Sequence, residues 1–189
     1  MLLLLFNLFF LSFAQQPIQF DSTTKTLIIN KEGIITKFEI SKFCFDNQIE
    51  EEQILKINLG KNTLIDSHSF NKLKILQEIS VDEQNKYYTV TNLVLFSKDS
   101  KRLIYYPPLR TSNHYTIPEG VEIVESNAFV RSHSFAITFS KELKQIHSEA
   151  LVFNKLMKSI VIYNNIELID EYAFSFNDNL EEVLIHSKM

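Results

Sequence analysis

Three stretches in the C-terminal half of this chain repeat one pattern of apolar residues. They read VEIVESNAFVRSHSFAITF (residues 121–139), LKQIHSEALVFNKLMKSIVI (residues 143–162) and IELIDEYAFSFNDNLEEVLI (residues 166–185). When the three are aligned, apolar residues fall into four columns, and corresponding residues lie 22 or 23 positions apart. A single amphipathic helix would instead repeat its apolar residues about every 3.6 positions. The recurrence therefore predicts a stack of structural repeats.

Each column has its own expected place in the repeat. The columns are Val121, Leu143 and Ile166; Val124, Ile146 and Ile169; the pairs Ala128-Phe129, Ala150-Leu151 and Ala173-Phe174; and the pairs Ile137 and Phe139, Ile160 and Ile162, Val183 and Ile185. The alternating fourth column is typical of a short strand that turns two side chains into the core. One unit cannot bury these residues alone, so we expect stacked units whose strands pair in parallel.

The rest of the chain divides into four further segments. A more distant copy of the repeat occupies residues 55–81, with Ile65, Ser69-Phe70, Leu76, Ile79 and Val81 in the same columns. Residues 82–116 break the register, and the β-rich runs 93–96 and 103–106 around the polar residues 97–101 predict a hairpin insertion. Residues 15–54 are expected to form an N-terminal cap, with two short strands in 25–38 and an acidic helix or loop at 46–53. Three repeats then fill residues 117–189.

The first fourteen residues, MLLLLFNLFFLSFA, are almost continuously apolar and carry no charge. Small residues at Ser12 and Ala14, followed by polar Gln15, predict a secretory signal peptide that is cleaved between Ala14 and Gln15. An uncleaved anchor or a buried N-terminal helix are the alternatives, because no Lys or Arg precedes the apolar run. No later apolar run approaches the length that spans a bilayer. We therefore expect a secreted or cell-surface protein without a transmembrane segment after signal cleavage.

Composition excludes several classes of function. The chain has 189 residues, 45% hydrophobic and 22% charged, which is typical of a folded domain. Three glycines are too few for a glycine-rich phosphate loop, and a net charge of −4 argues against a nucleic-acid partner. The single cysteine, Cys44, excludes an internal disulfide. We expect Cys44 to be a small buried apolar residue, with an intermolecular disulfide as the alternative.

The sequence contains no recognisable catalytic or metal-binding pattern. Its five histidines occupy unrelated positions within the repeat, so they form no metal-binding column. Neither the His147-Ser148-Glu149 run nor the Ser67-His68-Ser69 run lies in a nucleophile elbow. We therefore predict a non-enzymatic protein with no catalytic residues, no cofactor and no metal.

The repeats resemble the BspA-like leucine-rich repeats of bacterial and protozoal surface proteins. The best match runs from Ile117-Pro118 through Val121 and Val124 to Ala128-Phe129, and residues 92–107 are similar to the hairpin insertion of that family. The chain departs from the family where a glycine usually follows the second column, since it has Asp66, Glu125, His147 and Asp170 there. The resemblance implies an α/β solenoid, mainly β, with parallel strands on one face. It also implies a role as an adhesin or surface antigen.

In such a solenoid, the outward side chains of the strands form a band that commonly binds partners. Candidate partner-binding residues in this band are Ser80, Thr138, Val161 and Leu184, flanked by Ser159 and Glu182 on one side and by Ser140, Tyr163 and His186 on the other. We expect an exported protein-interaction module that binds a protein or host-surface ligand through this face. The alternative is an assembly subunit that self-associates through an uncapped C-terminal end of the solenoid.

Overall fold

The computed structural model describes residues 16–110 and 112–186, and the predicted signal peptide at residues 1–14 lies outside the described residues. The described parts contain β-strands, one α-helix and one short 3₁₀ helix (Glu51–Gln53). In chain order the elements are β1 (Ile18–Asp21), β2 (Thr26–Ile29), β3 (Gly33–Ile35), α1 (Lys37–Asp46), β4 (Lys56–Leu59), β5 (Thr63–Ile65), β6 (Glu78–Val81), β7 (Tyr88–Thr91), β8 (Val94–Ser97), β9 (Arg102–Tyr105), β10 (His114–Thr116), β11 (Ile123–Val124), β12 (Ala136–Thr138), β13 (Gln145–Ile146), β14 (Ser159–Tyr163), β15 (Leu168–Ile169) and β16 (Glu182–His186).

The strands form a mainly-β solenoid of about six turns, which confirms the predicted fold class. One side of the solenoid, which we call the first face, carries the parallel strands β2-β4-β6 and β10-β12-β14-β16. A second face carries the shorter parallel strands β9-β11-β13-β15, and β3 pairs with β5. The N-terminal strand β1 pairs antiparallel with β2 at the start of the stack.

One backbone pattern joins successive turns at the start of five first-face strands, namely β4, β6, β12, β14 and β16. Two successive amides donate to the same carbonyl of the preceding turn. The pairs are Leu55 and Lys56 to Lys25, Gln77 and Glu78 to Leu55, Phe135 and Ala136 to Asn113, Lys158 and Ser159 to Phe135, and Glu181 and Glu182 to Lys158, at 2.8–3.3 Å. The same carbonyl thus fixes where each new turn begins.

The predicted apolar columns form the core. Val121, Leu143, Val124, Ile146 and their partners in the Ala and strand columns are almost fully buried in the inner turns. The last turn differs, because Ile169, Val183 and Ile185 are 49%, 50% and 69% exposed. These side chains occupy core columns, but no further turn packs over them within the described residues.

The alanine column lies where successive return limbs approach closely. The Tyr106 amide donates to the Ala128 carbonyl at 2.7 Å, and the Phe129 and Leu151 amides donate to the Ala150 and Ala173 carbonyls at 2.8 Å. A methyl side chain leaves room for these contacts, whereas the next residue fills the core. This explains why each repeat pairs a small residue with a large one.

An antiparallel meander interrupts the stack between its N-terminal and C-terminal parts. Strand β8 pairs with β7 and with β9, and the register shifts at Leu95 and Phe96. Val94 and Phe96 pack into the core of the C-terminal turns, whereas Leu95 packs into that of the N-terminal turns. Strands β8 and β9 lie at the two predicted runs. The sequence analysis missed β7, and it assigned β10 to the insertion although β10 belongs to the first face.

Helix α1 is the other element that the sequence analysis missed. The Thr36 side chain accepts from the Glu39 amide, and the Glu39 side chain accepts from the Thr36 amide. This capping box starts the helix about ten residues before the acidic stretch that had been considered as a helix or loop. The helix turns Ile40 and Cys44 into the core and leaves Phe38 and Phe45 exposed.

Candidate interaction surface

The C-terminal part of the first face aligns its outward side chains in straight rows. Parallel register places Thr116 opposite Thr138, Thr138 opposite Val161, and Val161 opposite Leu184. A second row contains His114, Ala136, Ser159 and Glu182. Because alternate strand residues point to the same side, these rows form one continuous surface across four strands.

This surface becomes more apolar and aromatic toward the last strand. Val161 is half-buried beside Leu184, which is 40% exposed. The rings of Tyr163 and His186 lie 5.7 Å apart, and the Lys141 ammonium is 6.0 Å from the Tyr163 ring centre. An aromatic ring beside a cation and a strip of aliphatic surface is suited to contact another protein.

The opposite end of the surface is polar. The His114 Nε2 and Thr138 Oγ1 atoms are 2.8 Å apart, so the imidazole is held across two strands. An ion pair also borders the other end of the band, where the Lys158 ammonium lies 3.3 Å from the Glu181 carboxylate just before β14 and β16. The surface therefore offers hydrogen-bonding groups at β10 and apolar contact at β14 and β16.

Most of the predicted candidates lie on this surface, and two residues do not. Ser80 is exposed, but it lies on β6 in the N-terminal sheet, where its hydroxyl donates to the Ile57 carbonyl at 3.1 Å. The expectation that Ser140 is an outward flanking residue was wrong. Ser140 is buried and its hydroxyl bonds to the Val121 carbonyl, because the chain already turns inward after β12.

Two residues of the surface, His114 and Thr116, were not identified from the sequence. Their strand carries the same alternation as the later repeats, since Tyr115 and Ile117 precede Ile137 and Phe139 by 22 positions. Assigning residues 82–116 to the insertion hid this signal. Tyr115 and Ile117 are buried like their later counterparts.

The second face carries charges that neutralise one another. Lys101 and Lys144 each place an ammonium 2.7 Å from the Glu122 carboxylate. Hydrogen bonds from these two lysines lower the pKa of Glu122 to about 2. The Glu125 carboxylate accepts from Arg102 and lies 3.0 Å from His147 Nδ1. These ion pairs join neighbouring turns on the second face.

The described residues contain no cluster of three or more histidine, cysteine or acidic side chains that could hold a metal ion. Cys44 is buried and unpaired, and burial is the main reason that its thiol pKa rises to about 11. No helix within the described ranges has the length and hydropathy needed to span a bilayer.

Comparison with known families identifies the repeats. A family model described as a BspA type leucine-rich repeat region (6 copies) matches residues 109–189. The repeats of this part of the chain are similar to those of the BspA-type leucine-rich repeat family, over 81 of the 189 residues. The match begins just before β10, so the BspA-type region contains the whole C-terminal part of the first face. No curated protein matches the chain.

Two solved structures of bacterial proteins share the fold. A leucine-rich repeat protein from Eubacterium ventriosum matches 84% of this chain with a TM-score of 0.71 and 22% identity. The pneumococcal vaccine antigen PcpA matches 70% of the chain with a TM-score of 0.56 and 22% identity. The chain spans 41% of the first protein and 39% of the second. The common solenoid thus extends beyond the region that the family model matches.

Proposed function

We propose that this protein is a non-enzymatic module that binds a protein partner through the C-terminal part of the first face. The observation that carries the proposal is the row Thr116, Thr138, Val161 and Leu184, which lies in register on four parallel strands. A rigid sheet presents such a row without ordering a loop, so little conformational entropy is lost on binding.

The chemistry of the surface favours a protein rather than a small molecule as partner. The band is broad, and its polar and apolar ends lie on successive strands rather than around a cavity. Protein interfaces combine an apolar and aromatic centre with a polar rim. Val161, Tyr163 and Leu184 provide the centre, and Ser159, Glu182 and His186 provide the rim.

We propose further that the protein is exported and acts at a cell surface or in the medium as an adhesin or antigen. The apolar residues 1–14 favour export. The shared fold with a pneumococcal vaccine antigen is consistent with this setting. Antibody labelling of intact cells, permeabilised cells and medium tests it. Label confined to permeabilised cells would contradict export.

Self-association through the last turn is a second candidate function. Its large side chains are exposed along one end of the solenoid, namely Leu168, Ile169, Tyr172, Phe176, Val183, Leu184 and Ile185. Strand β16 pairs only with β14 among the described strands, so its other edge is available for a second copy. Two copies could pair these edges about a two-fold axis and bury both ends.

A crossed pair of substitutions distinguishes the two candidates. Val161→Glu places a charge in the strand band, whereas Ile185→Glu places one on the exposed end. A photo-reactive residue at position 138 forms crosslinks with a bound partner in the cells that produce the protein. Light scattering measures the mass of the purified protein. Gln145→Glu on the second face is the matched control for an added charge.

We expect Val161→Glu to abolish the crosslinks from position 138 and Ile185→Glu to leave them unchanged. The opposite result, together with a concentration-dependent mass that only Ile185→Glu abolishes, would favour the assembly role. Equal crosslinking by the wild-type protein and Val161→Glu would contradict binding through the band.

A further inference from the structure

The backbone pattern that joins successive turns fails at one place on the first face. Asn113 and His114 occupy the positions of Phe135 and Ala136, and Gln77 occupies that of Asn113. Within the described residues, however, no hydrogen bond joins the Asn113 or His114 amide to the Gln77 carbonyl. Strand β6 ends one sheet and β10 begins the next, and the two strands do not pair.

The His114 carbonyl accepts from the Ser112 hydroxyl, and the other edge groups of the two strands have no backbone partner within the described residues. The Ile117 amide donates to the Thr138 carbonyl on β12. Because successive amides of a strand point to opposite edges, the Thr116 and His114 amides point toward β6. On the other side, the Glu78 and Asp82 amides donate to the preceding turn, so the Ile79 and Val81 amides face β10. Two facing strand edges with unused donors and acceptors can accept one further strand between them.

A cavity of about 780 Å³ lies at the starts of the two strands. Its lining includes Gln77, Glu78 and Asn113, which carry or flank the unused groups, together with Leu93 at the tip of the β7–β8 turn. Leu109 also lines the cavity, and its amide donates to the Leu76 carbonyl at 2.9 Å. The lining thus combines backbone-bearing residues of both strand starts with two apolar side chains, Leu93 and Leu109.

The charge at this cavity is positive. Arg110 lines it and has no carboxylate partner among the described side chains, whereas the Glu78 carboxylate is paired with the Lys56 ammonium at 2.8 Å. The guanidinium is held in place, since Nε donates to the Asn92 carbonyl at 2.9 Å and an NH group donates to the Tyr106 hydroxyl at 3.1 Å. Its remaining N–H groups are available for a carboxylate.

We infer that the space between β6 and β10 is a binding site for an extended peptide segment of a partner protein, with an acidic residue at its amino end. The segment runs parallel to its two neighbours and pairs with both, which makes the first face one continuous sheet. Its acidic side chain meets Arg110, because that residue lies just before β10. Strand addition obtains affinity from backbone hydrogen bonds and specificity from side chains at particular positions. This site adjoins the C-terminal band proposed above, because it uses the backbone edge of β10, whereas the band uses the outward side chains of β10, β12, β14 and β16.

Hydrogen exchange with a defined peptide tests the inference. The probe is acetyl-Asp-Thr-Val-Thr-Val-Thr-amide, added to the whole protein while amide exchange is followed by NMR. One control peptide carries Lys in place of Asp, and another is N-methylated at alternate residues so that it cannot pair along one edge. The Ala136 and Thr138 amides, which face β10 within the paired sheet, report that the fold stays intact.

We expect the His114 and Thr116 amides to exchange rapidly in the free protein and about tenfold more slowly with the probe. Arg110→Gln should weaken the Asp probe about five- to tenfold without changing the affinity of the Lys peptide. Slow exchange in the free protein would mean that β6 and β10 pair directly and would overturn the site. Equal binding of the N-methylated peptide would overturn strand addition. Protection that instead rises with protein concentration would assign the space to a second copy.

Discussion

The junction between β12 and β14 and the junction between β6 and β10 join successive turns of the same solenoid, yet only the first is closed. At the closed junction, Ile137 pairs with Ile160, and two amides bind the Phe135 carbonyl. At the open junction, the equivalent carbonyl of Gln77 has no such partner among the described residues. The distance along the chain between equivalent positions is 23 residues from Phe135 to Lys158 but 36 from Gln77 to Asn113. The apolar columns are present on both sides. Added length alone does not open a junction, because the closed junction from Lys25 to Leu55 already spans 30 residues. The open junction is the one at which the antiparallel meander β7–β9 interrupts the stack.

The largest loss of stability is expected for a core residue that is covered by a turn on each side. Ile162 is 5% exposed in the inner turn, and Ile185 occupies the same column in the last turn at 69% exposure. We expect Ile162→Ala to lower the free energy of unfolding by about 2–5 kcal/mol and Ile185→Ala by less than about 0.5 kcal/mol. Urea unfolding of the two variants measures the difference. Similar losses would show that the last turn is also covered in solution.

A smaller difference is expected between prolines on either side of β10. The Thr138 amide faces β10 within the sheet, because the neighbouring Phe139 amide donates to Val161. The Thr116 amide faces the open junction. Since proline removes one donor at each site, Thr138→Pro should destabilise the protein by about 1–3 kcal/mol more than Thr116→Pro. Chemical denaturation compares the two, and equal losses would contradict an open junction.

The sequence predicts the closed part of the solenoid better than the open part. The columns at Val121, Ala128 and Ile160 follow from local alternation and from a fixed period, and burial confirms them. The separation of β6 from β10 depends on how β8 packs between two cores, which is a contact between distant segments. Helix α1 is a different case, because the Thr36 and Glu39 signature was present in the sequence.

The same distinction holds for the candidate surface. Alternation along each strand predicts the burial pattern of β12 and β14, in which the candidate side chains alternate with buried ones. It cannot predict that Ser80 belongs to another sheet, since Ser80 fits the column as well as Thr138 does. The cavity at Arg110 and Asn113 has no sequence signature, because its distinctive feature is a set of backbone groups without partners.

The smallest effect is expected for the side chains that bridge closed junctions on the second face. The pKa of Glu122 is lowered to about 2 by its two lysines, whereas an unfolded glutamate titrates near 4.3. The ion pairs therefore stabilise the fold above about pH 4.3, and this contribution is lost as the pH falls toward 2. We expect Glu122→Gln to lower the melting temperature slightly at pH 7 and not at pH 2.

Thermal melts across this pH range measure the effect, with Glu171→Gln as the control. Glu171 is an exposed carboxylate that forms no ion pair within the described part of the chain. A deficit of Glu122→Gln that persists unchanged at pH 2 would mean that the side chain acts through packing rather than charge.

The return limbs contain recurrent left-handed backbone positions, and these have a consequence for how the protein can evolve. Asn127, Glu149 and Tyr172 form one such series and have positive φ angles of 56–60°. None of them is glycine, although a left-handed conformation disfavours residues with a Cβ atom by about 1 kcal/mol each. Glycine at the half-buried Glu149 or the exposed Tyr172 position would relieve this strain. Substitution by glycine would therefore stabilise the fold. That gain could offset the destabilising effect of other substitutions that alter what the surface binds.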